Sequence, residues 1–139
     1  MKYIDCRGSC LCGDVQYRIT GRTARFTLCH CGRCRKATGS GHTANIMLTD
    51  GEVEWTQGRD RVRRYKVPDA ERYSTAFCGH CGSPLPRHIP EIGLIAVPAG
   101  SLDEDPELVP QADIFWDSRA TWSVSEPTLP KYKEYPPDA

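Results

Sequence analysis

The chain has 139 residues, of which 39% are hydrophobic and 9% aromatic, and its 18 basic and 18 acidic side chains cancel to a formal net charge of zero. This length sets a single domain over residues 1–139 with a modest core, and the low apolar fraction asks for a further source of stability. Neutral charge argues against a dedicated nucleic-acid binder, which carries a basic excess, and no apolar run is long enough to span a membrane. No signal-type stretch follows Met1, since Lys2-Tyr3-Ile4-Asp5 already carries charge, so a cytoplasmic setting that keeps thiols reduced is expected.

The pattern along the chain is β. Val15, Tyr17 and Ile19 alternate with Asp14, Gln16, Arg18 and Thr20, the period-two signature of a strand with one buried face. Arg33 to Ala37 predicts a short helical turn that stops near Thr38-Gly39. After a glycine-rich turn at Gly39-Ser40-Gly41, Ala44, Ile46 and Leu48 repeat the alternation. Thr49-Asp50-Gly51 then predicts a hairpin turn, because Asp-Gly tolerates positive φ, with Val53 and Trp55 on the returning strand. Arg61 to Val67, Arg72 to Phe77 and Ile92 to Val97 predict three more strands, and Leu102 to Leu108 one more helical turn. From Ser125 onward, Pro127, Pro130, Pro136 and Pro137 exclude helix and central strand. They predict an extended tail pinned to the body by Leu129, Tyr132 and Tyr135.

Eight cysteines dominate the chemistry. A disulfide framework suits short secreted chains; here the spacing favours metal. Cys10-Leu11-Cys12-Gly13 and Cys78-Gly79-His80-Cys81-Gly82 are knuckles whose tight turns aim two sulfurs at one ion. Their glycines would let backbone N–H groups point at sulfur. Together the pairs complete a tetrahedral four-cysteine site, which would clip an early strand to a late one and offset the closure entropy of a long loop. Structural zinc is the expectation, against iron–sulfur or redox thiols.

Cys29-His30-Cys31-Gly32-Arg33-Cys34 packs three thiols into one loop. Three protein ligands with an open fourth position mark catalytic zinc, and Arg33, Arg35 and Lys36 would offset the charge of three thiolates. Such an ion would accept an outside thiol, lower its pKa and hold it beside an electrophile. A fourth ligand from Cys6, His30, His42, His80 or His88 would instead close the site, and a redox-sensing thiol cluster is a third reading. Cys6 itself reads as a plain cysteine. Phe115, Trp116 and Trp122 would wall a pocket near this loop or fill the core. Serine elbows, phosphate-binding loops and HExxH helices are absent, and neither His30 nor His88 is assigned a role.

The order Gly8-Ser9-Cys10-x-Cys12-Gly13-x-Val15-x-Tyr17, then Cys29-His30-Cys31-x-x-Cys34-Arg35, then Phe77-Cys78-x-x-Cys81-Gly82-x-x-Leu85 resembles the glutathione-dependent formaldehyde-activating enzymes. That family is also described as S-(hydroxymethyl)glutathione synthase-like or centromere-protein-V-like. The resemblance covers nearly the whole chain, reaching Ser118-Arg119-Ala120-x-Trp122, Leu129-Pro130 and Tyr135-Pro136. It implies an all-β, Mss4-like zinc-knuckle sheet fold with short helical turns. It also implies a structural zinc at Cys10, Cys12, Cys78 and Cys81, and a second zinc at Cys29, Cys31 and Cys34 linked to catalysis and glutathione. Asp113 stands where family members often carry histidine, which leaves the substrate open.

The expected function is a zinc-dependent carbon–sulfur lyase or synthase acting on a glutathione adduct of a small aldehyde such as formaldehyde, with no nucleic-acid or membrane partner. The competing reading is a non-catalytic zinc-binding module for a thiol or protein partner. The basic stretch Arg59, Arg61, Arg63, Arg64 and Lys66 reads as a solvated hairpin face balanced by Asp50, Glu52 and Glu54, or else as the holder of glutathione's carboxylates.

Overall fold

Alternation of apolar and polar side chains decides the central strands. In the computed structural model, which describes residues 1–123 and 129–138, they are β1 (Tyr3–Ser9), β2 (Gln16–Cys29) and β3 (Thr43–Gln57). The one α-helix among the described residues, α1 (Gly32–Thr38), lies between β2 and β3. Then follow β4 (Val62–Lys66), β5 (Ser74–Cys78), β6 (Arg87–Ile89), β7 (Leu94–Pro98) and β8 (Ala112–Ile114), with short 3-10 turns between some of them. The fold is all-β in character. One sheet runs β1-β2-β3-β7-β6 with antiparallel neighbours, and β8 lies parallel to the end of β2. β4 and β5 form a separate antiparallel pair. Among the described residues no helix is long and apolar enough to cross a membrane.

Val15, Tyr17, Ile19, Ile46, Leu48, Leu85 and Val97 are at most 1% exposed and form the core with Ile4, Cys6 and Ile95. Each large apolar side chain so buried contributes about 1.5–3 kcal/mol. Cys10 and Cys78 belong to the same cluster, so the first cysteine group stands on the rim of the core. Tyr17 crosses β1 at Gly8, its register partner; a Cβ there would lie 2.3 Å from the ring. The Tyr17 hydroxyl pairs with that of Ser101 at 2.6 Å.

Several expectations are corrected. Tyr3–Ser9 is a strand that sequence reading left unassigned; its alternation depends on Cys6 and Gly8 counting as inward-facing residues. Thr49-Asp50-Gly51 is not a hairpin turn, because β3 runs straight through it. Thr20 pairs with Glu52 and Arg22 with Thr49, which leaves Asp50 and Gly51 opposite Gly21. This is a β-bulge with Asp50 at φ 51°, and positive φ serves a bulge as well as a turn. Leu102–Leu108 makes no helical turn. Its backbone is drawn instead to β1, where Asp103 donates its N–H to the Arg7 carbonyl and Glu104 accepts the Arg7 N–H.

The tail is not pinned as expected: Leu129, Tyr132 and Tyr135 are all exposed. Ser125 and Pro127 lie outside the described residues. The basic stretch, on β4 and the turn before it, is solvated but balanced otherwise than expected. Arg61 approaches Asp14 at 3.8 Å, and Arg63 donates to the Asp60 carbonyl.

Candidate metal centres

The fold brings the two knuckles together. The ligand atoms of Cys10, Cys12, Cys78 and Cys81 all lie within 4.8 Å of one another. Cys10 and Cys12 sulfurs are 3.6 Å apart, and those of Cys12 and Cys78 are 3.9 Å apart. A tetrahedron with zinc–sulfur bonds of about 2.3 Å has edges of about 3.8 Å, so the donor set fits zinc. Gly13 (φ 82°) and Gly82 (φ 79°) turn the knuckles in the left-handed region. Their own N–H groups bond the carbonyls of Cys10 and Cys78 and close the two turns. As expected, backbone N–H groups point at sulfur in both knuckles: those of Val15 (to Cys10, 3.2 Å) and of His80 and Cys81 (to Cys78, 3.4 and 3.5 Å). Hydrogen bonds from the Ser83 side chain and backbone draw the Cys81 thiol down to about 5, and the Ser83 hydroxyl also accepts the Leu11 N–H, tying one knuckle to the other.

The second group is local. Cys29 ends β2, Cys31 caps α1 and Cys34 lies in its first turn, with all three ligand atoms within 4.8 Å of one another. Among the described residues no fourth Cys, His, Asp or Glu joins them. Burial pushes the Cys29 thiol up to about 12. Burial opposes ionisation of Cys31 too, but hydrogen bonds from the Cys34 backbone and the neighbouring thiols outweigh it and hold Cys31 below the ordinary thiol range. As expected, α1 stops at Thr38, with Gly39 as its left-handed cap.

The proposed fourth ligands all go elsewhere. Cys6 is 5% exposed in the core. His30 is only 3% exposed, and its Nε2 meets Asp113 Oδ1 at 2.7 Å. Its ring packs edge-on against Trp116 at 4.9 Å and beside His42 at 5.4 Å. His80 engages Asp14 at 3.0 Å, and with Cys12 the pair forms a further, largely exposed group that shares Cys12 with the first site. His88 is exposed on β6. Asp113 therefore fixes the imidazole of the residue that lies between Cys29 and Cys31 in the chain. Trp116 packs on the His30 ring of that loop, whereas Phe115 (64% exposed) and Trp122 (68% exposed) do not fill the core.

Sequence reading missed Tyr73, Arg87 and Asn45, which line a cleft of about 650 Å³ together with Cys10, Ala37, Thr38, Thr43 and Asp103. Tyr73 donates its hydroxyl to Cys34 Sγ at 3.4 Å, so its ring stands between the cleft and the three thiols. No local motif marks these residues; they meet only through the pairing of β3, β7 and β6 and the approach of the chain before β5.

An all-β frame bearing two thiol groups spaced to hold metal ions defines the class of protein. Its family is equally plain: the model of the glutathione-dependent formaldehyde-activating enzyme matches residues 5–118, and the chain belongs to that family. The match includes all seven clustered cysteines and Asp113 and ends at Ser118. Among solved structures, a Rhodobacter sphaeroides protein aligns with a TM-score of 0.53 at 22% identity, over 77% of this chain and 97% of that one, a likeness of fold. No curated protein matches the chain in sequence.

Proposed function

We propose that this chain is a zinc-dependent carbon–sulfur lyase or synthase acting on a glutathione adduct of a small aldehyde, with formaldehyde the simplest case. The observation that supports this most is the group Cys29, Cys31 and Cys34, three convergent thiols with no fourth protein donor among the described residues. Zinc held there would supply a Lewis-acidic position able to take a thiol as thiolate at neutral pH. In the synthase direction the glutathione sulfur forms a bond to the carbonyl carbon, the carbonyl π pair moves to oxygen, and the thiol proton ends on that oxygen. The reverse breaks the same carbon–sulfur bond.

The protein's own side chains prepare the place. Arg33, Arg35 and Lys36, all on the seven-residue α1, would offset thiolate charge. The Tyr73 hydroxyl donates to Cys34, and the His30–Asp113 pair orients the loop between Cys29 and Cys31. Cys10, Cys12, Cys78 and Cys81 are assigned a structural zinc, within one unit spanning residues 1–139. All eight cysteines are unbridged, which suits a reducing compartment such as the cytoplasm.

One observation favours the second reading, a non-catalytic zinc module that binds a thiol: none of Cys29, Cys31 and Cys34 lines the cleft. NMR exchange between formaldehyde hydrate and S-(hydroxymethyl)glutathione separates the two. Zinc-loaded protein is expected to speed the exchange above the uncatalysed rate, and Cys31→Ser to abolish that gain. Exchange left at the uncatalysed rate, with glutathione still bound, would establish the module instead.

A further inference from the structure

Arg87 is a cation without a carboxylate partner among the described residues; the groups that favour its charge are Tyr73 and Cys34. It lies on β6 with its Nε buried and unbonded, and no carboxylate of the described residues forms an ion pair with it. Its guanidinium stacks over Tyr73, 5.6 Å from the ring centroid, and burial pulls its pKa below the usual arginine value. The residue is half-buried, but a buried N–H left without an acceptor is costly, and proteins ordinarily satisfy it. Asn45, on β3, leaves its side-chain oxygen buried and equally unbonded.

These two orphans share a surface. Arg87 pairs with Ala96 on β7, and Ala96 pairs with Met47 on β3; Asn45 lies two residues before Met47. Side chains two apart on a strand, and those directly opposite across strands, project from the same face. Both residues line the cleft that Tyr73 separates from the three thiols. A donor fork suits a carboxylate, and a lone acceptor suits an amide N–H.

We propose that Arg87 and Asn45 are the specificity-determining pair for the peptide end of the thiol ligand, Arg87 taking a free carboxylate and Asn45 the amide N–H that precedes it. This inference rests on the glutathione reading above, and it names the part of the ligand that the cleft recognises. The glycyl end of glutathione carries that combination. The basic stretch on and before β4, the alternative holder of carboxylates, does not line the cleft.

Calorimetry on the zinc-loaded full chain tests it with four probes: glutathione, its glycyl ethyl ester, S-methylglutathione and cysteamine. For the wild-type chain, esterification is expected to weaken binding about ten- to hundredfold, the range of a charge-assisted hydrogen bond. Arg87→Gln is expected to weaken glutathione by a similar factor, to lose the preference for acid over ester, and to leave cysteamine binding unchanged. Arg87→Lys is expected to keep part of the preference, and the wild-type ester comparison still decides if Arg87→Gln does not fold. Equal affinity of acid and ester in the wild-type chain overturns the proposal. So does a penalty for Arg87→Gln that adds in full to the esterification penalty, or no binding of any peptide probe. S-methylglutathione binding as tightly as glutathione would remove the thiol–metal reading, while the Arg87 assignment would stand on the ester comparison.

Discussion

The two cysteine groups differ in what holds them. Cys10 and Cys12 come from the chain between β1 and β2, and Cys78 and Cys81 from the end of β5, so the first group exists only when distant segments have met. Cys29, Cys31 and Cys34 share one loop and a helical turn and can converge with little help from the rest of the chain. A closed group of four that joins remote segments couples metal binding to folding. On the proposed reading, a group of three made locally couples it to chemistry instead, and its ion could be lost with the sheet left intact. If the proposed function holds, the same side chain serves stability at one place and reactivity at another, according to how many donors converge and from where.

Breaking the first group should have the largest effect. Cys78→Ser is expected to leave the chain largely unfolded at room temperature, as seen by circular dichroism. Structural zinc contributes about 10–16 kcal/mol in small domains, as much as the whole stability of a typical fold. Cys31→Ser should divide the groups cleanly: one zinc fewer by elemental analysis, loss of aldehyde–thiol exchange, and a thermal midpoint close to that of the parent. A collapse of the midpoint with Cys31→Ser would show that the second group is structural after all.

Between these lies Gly8→Ala. The added methyl group would meet the Tyr17 ring at 2.3 Å and the Ser101 carbonyl at 2.6 Å, and both belong to packed structure. Overpacking of this kind costs about 1–3 kcal/mol, read as a lower denaturation midpoint with zinc content unchanged. The smallest effect is expected at Asp5. Two hydrogen bonds from Arg18, at 2.7 and 2.6 Å, hold its carboxyl below the usual aspartate range, so the pair is fully charged at neutral pH. Exposed pairs add little and are screened by salt. Asp5→Asn should therefore shift the thermal midpoint slightly, with the difference shrinking in molar salt.

Much of this was legible in the sequence because it is written locally. Val15, Tyr17 and Ile19 announce a half-buried strand, and both knuckles announce their sulfurs by spacing and by a following glycine. What was hidden is set by register. Asp50-Gly51 carries the chemistry of a turn, and only the pairing of Thr20 with Glu52 makes it a bulge. Arg87, Asn45 and Tyr73 lie in three separate segments and meet over a cleft that no spacing rule reveals. His30 looked like a stray histidine until Asp113, brought alongside by the parallel pairing of β8 with β2, gave it a partner.

The central claim is that Cys29, Cys31 and Cys34 hold a metal ion with one replaceable ligand. Cobalt substitution followed by visible absorption addresses it directly, since thiolate-to-cobalt bands report both the number of sulfurs and changes in the fourth ligand. Two cobalt ions per chain are expected, with glutathione altering the bands of one and leaving the four-sulfur spectrum of the other untouched. One ion per chain, or two whose spectra ignore glutathione, would contradict it.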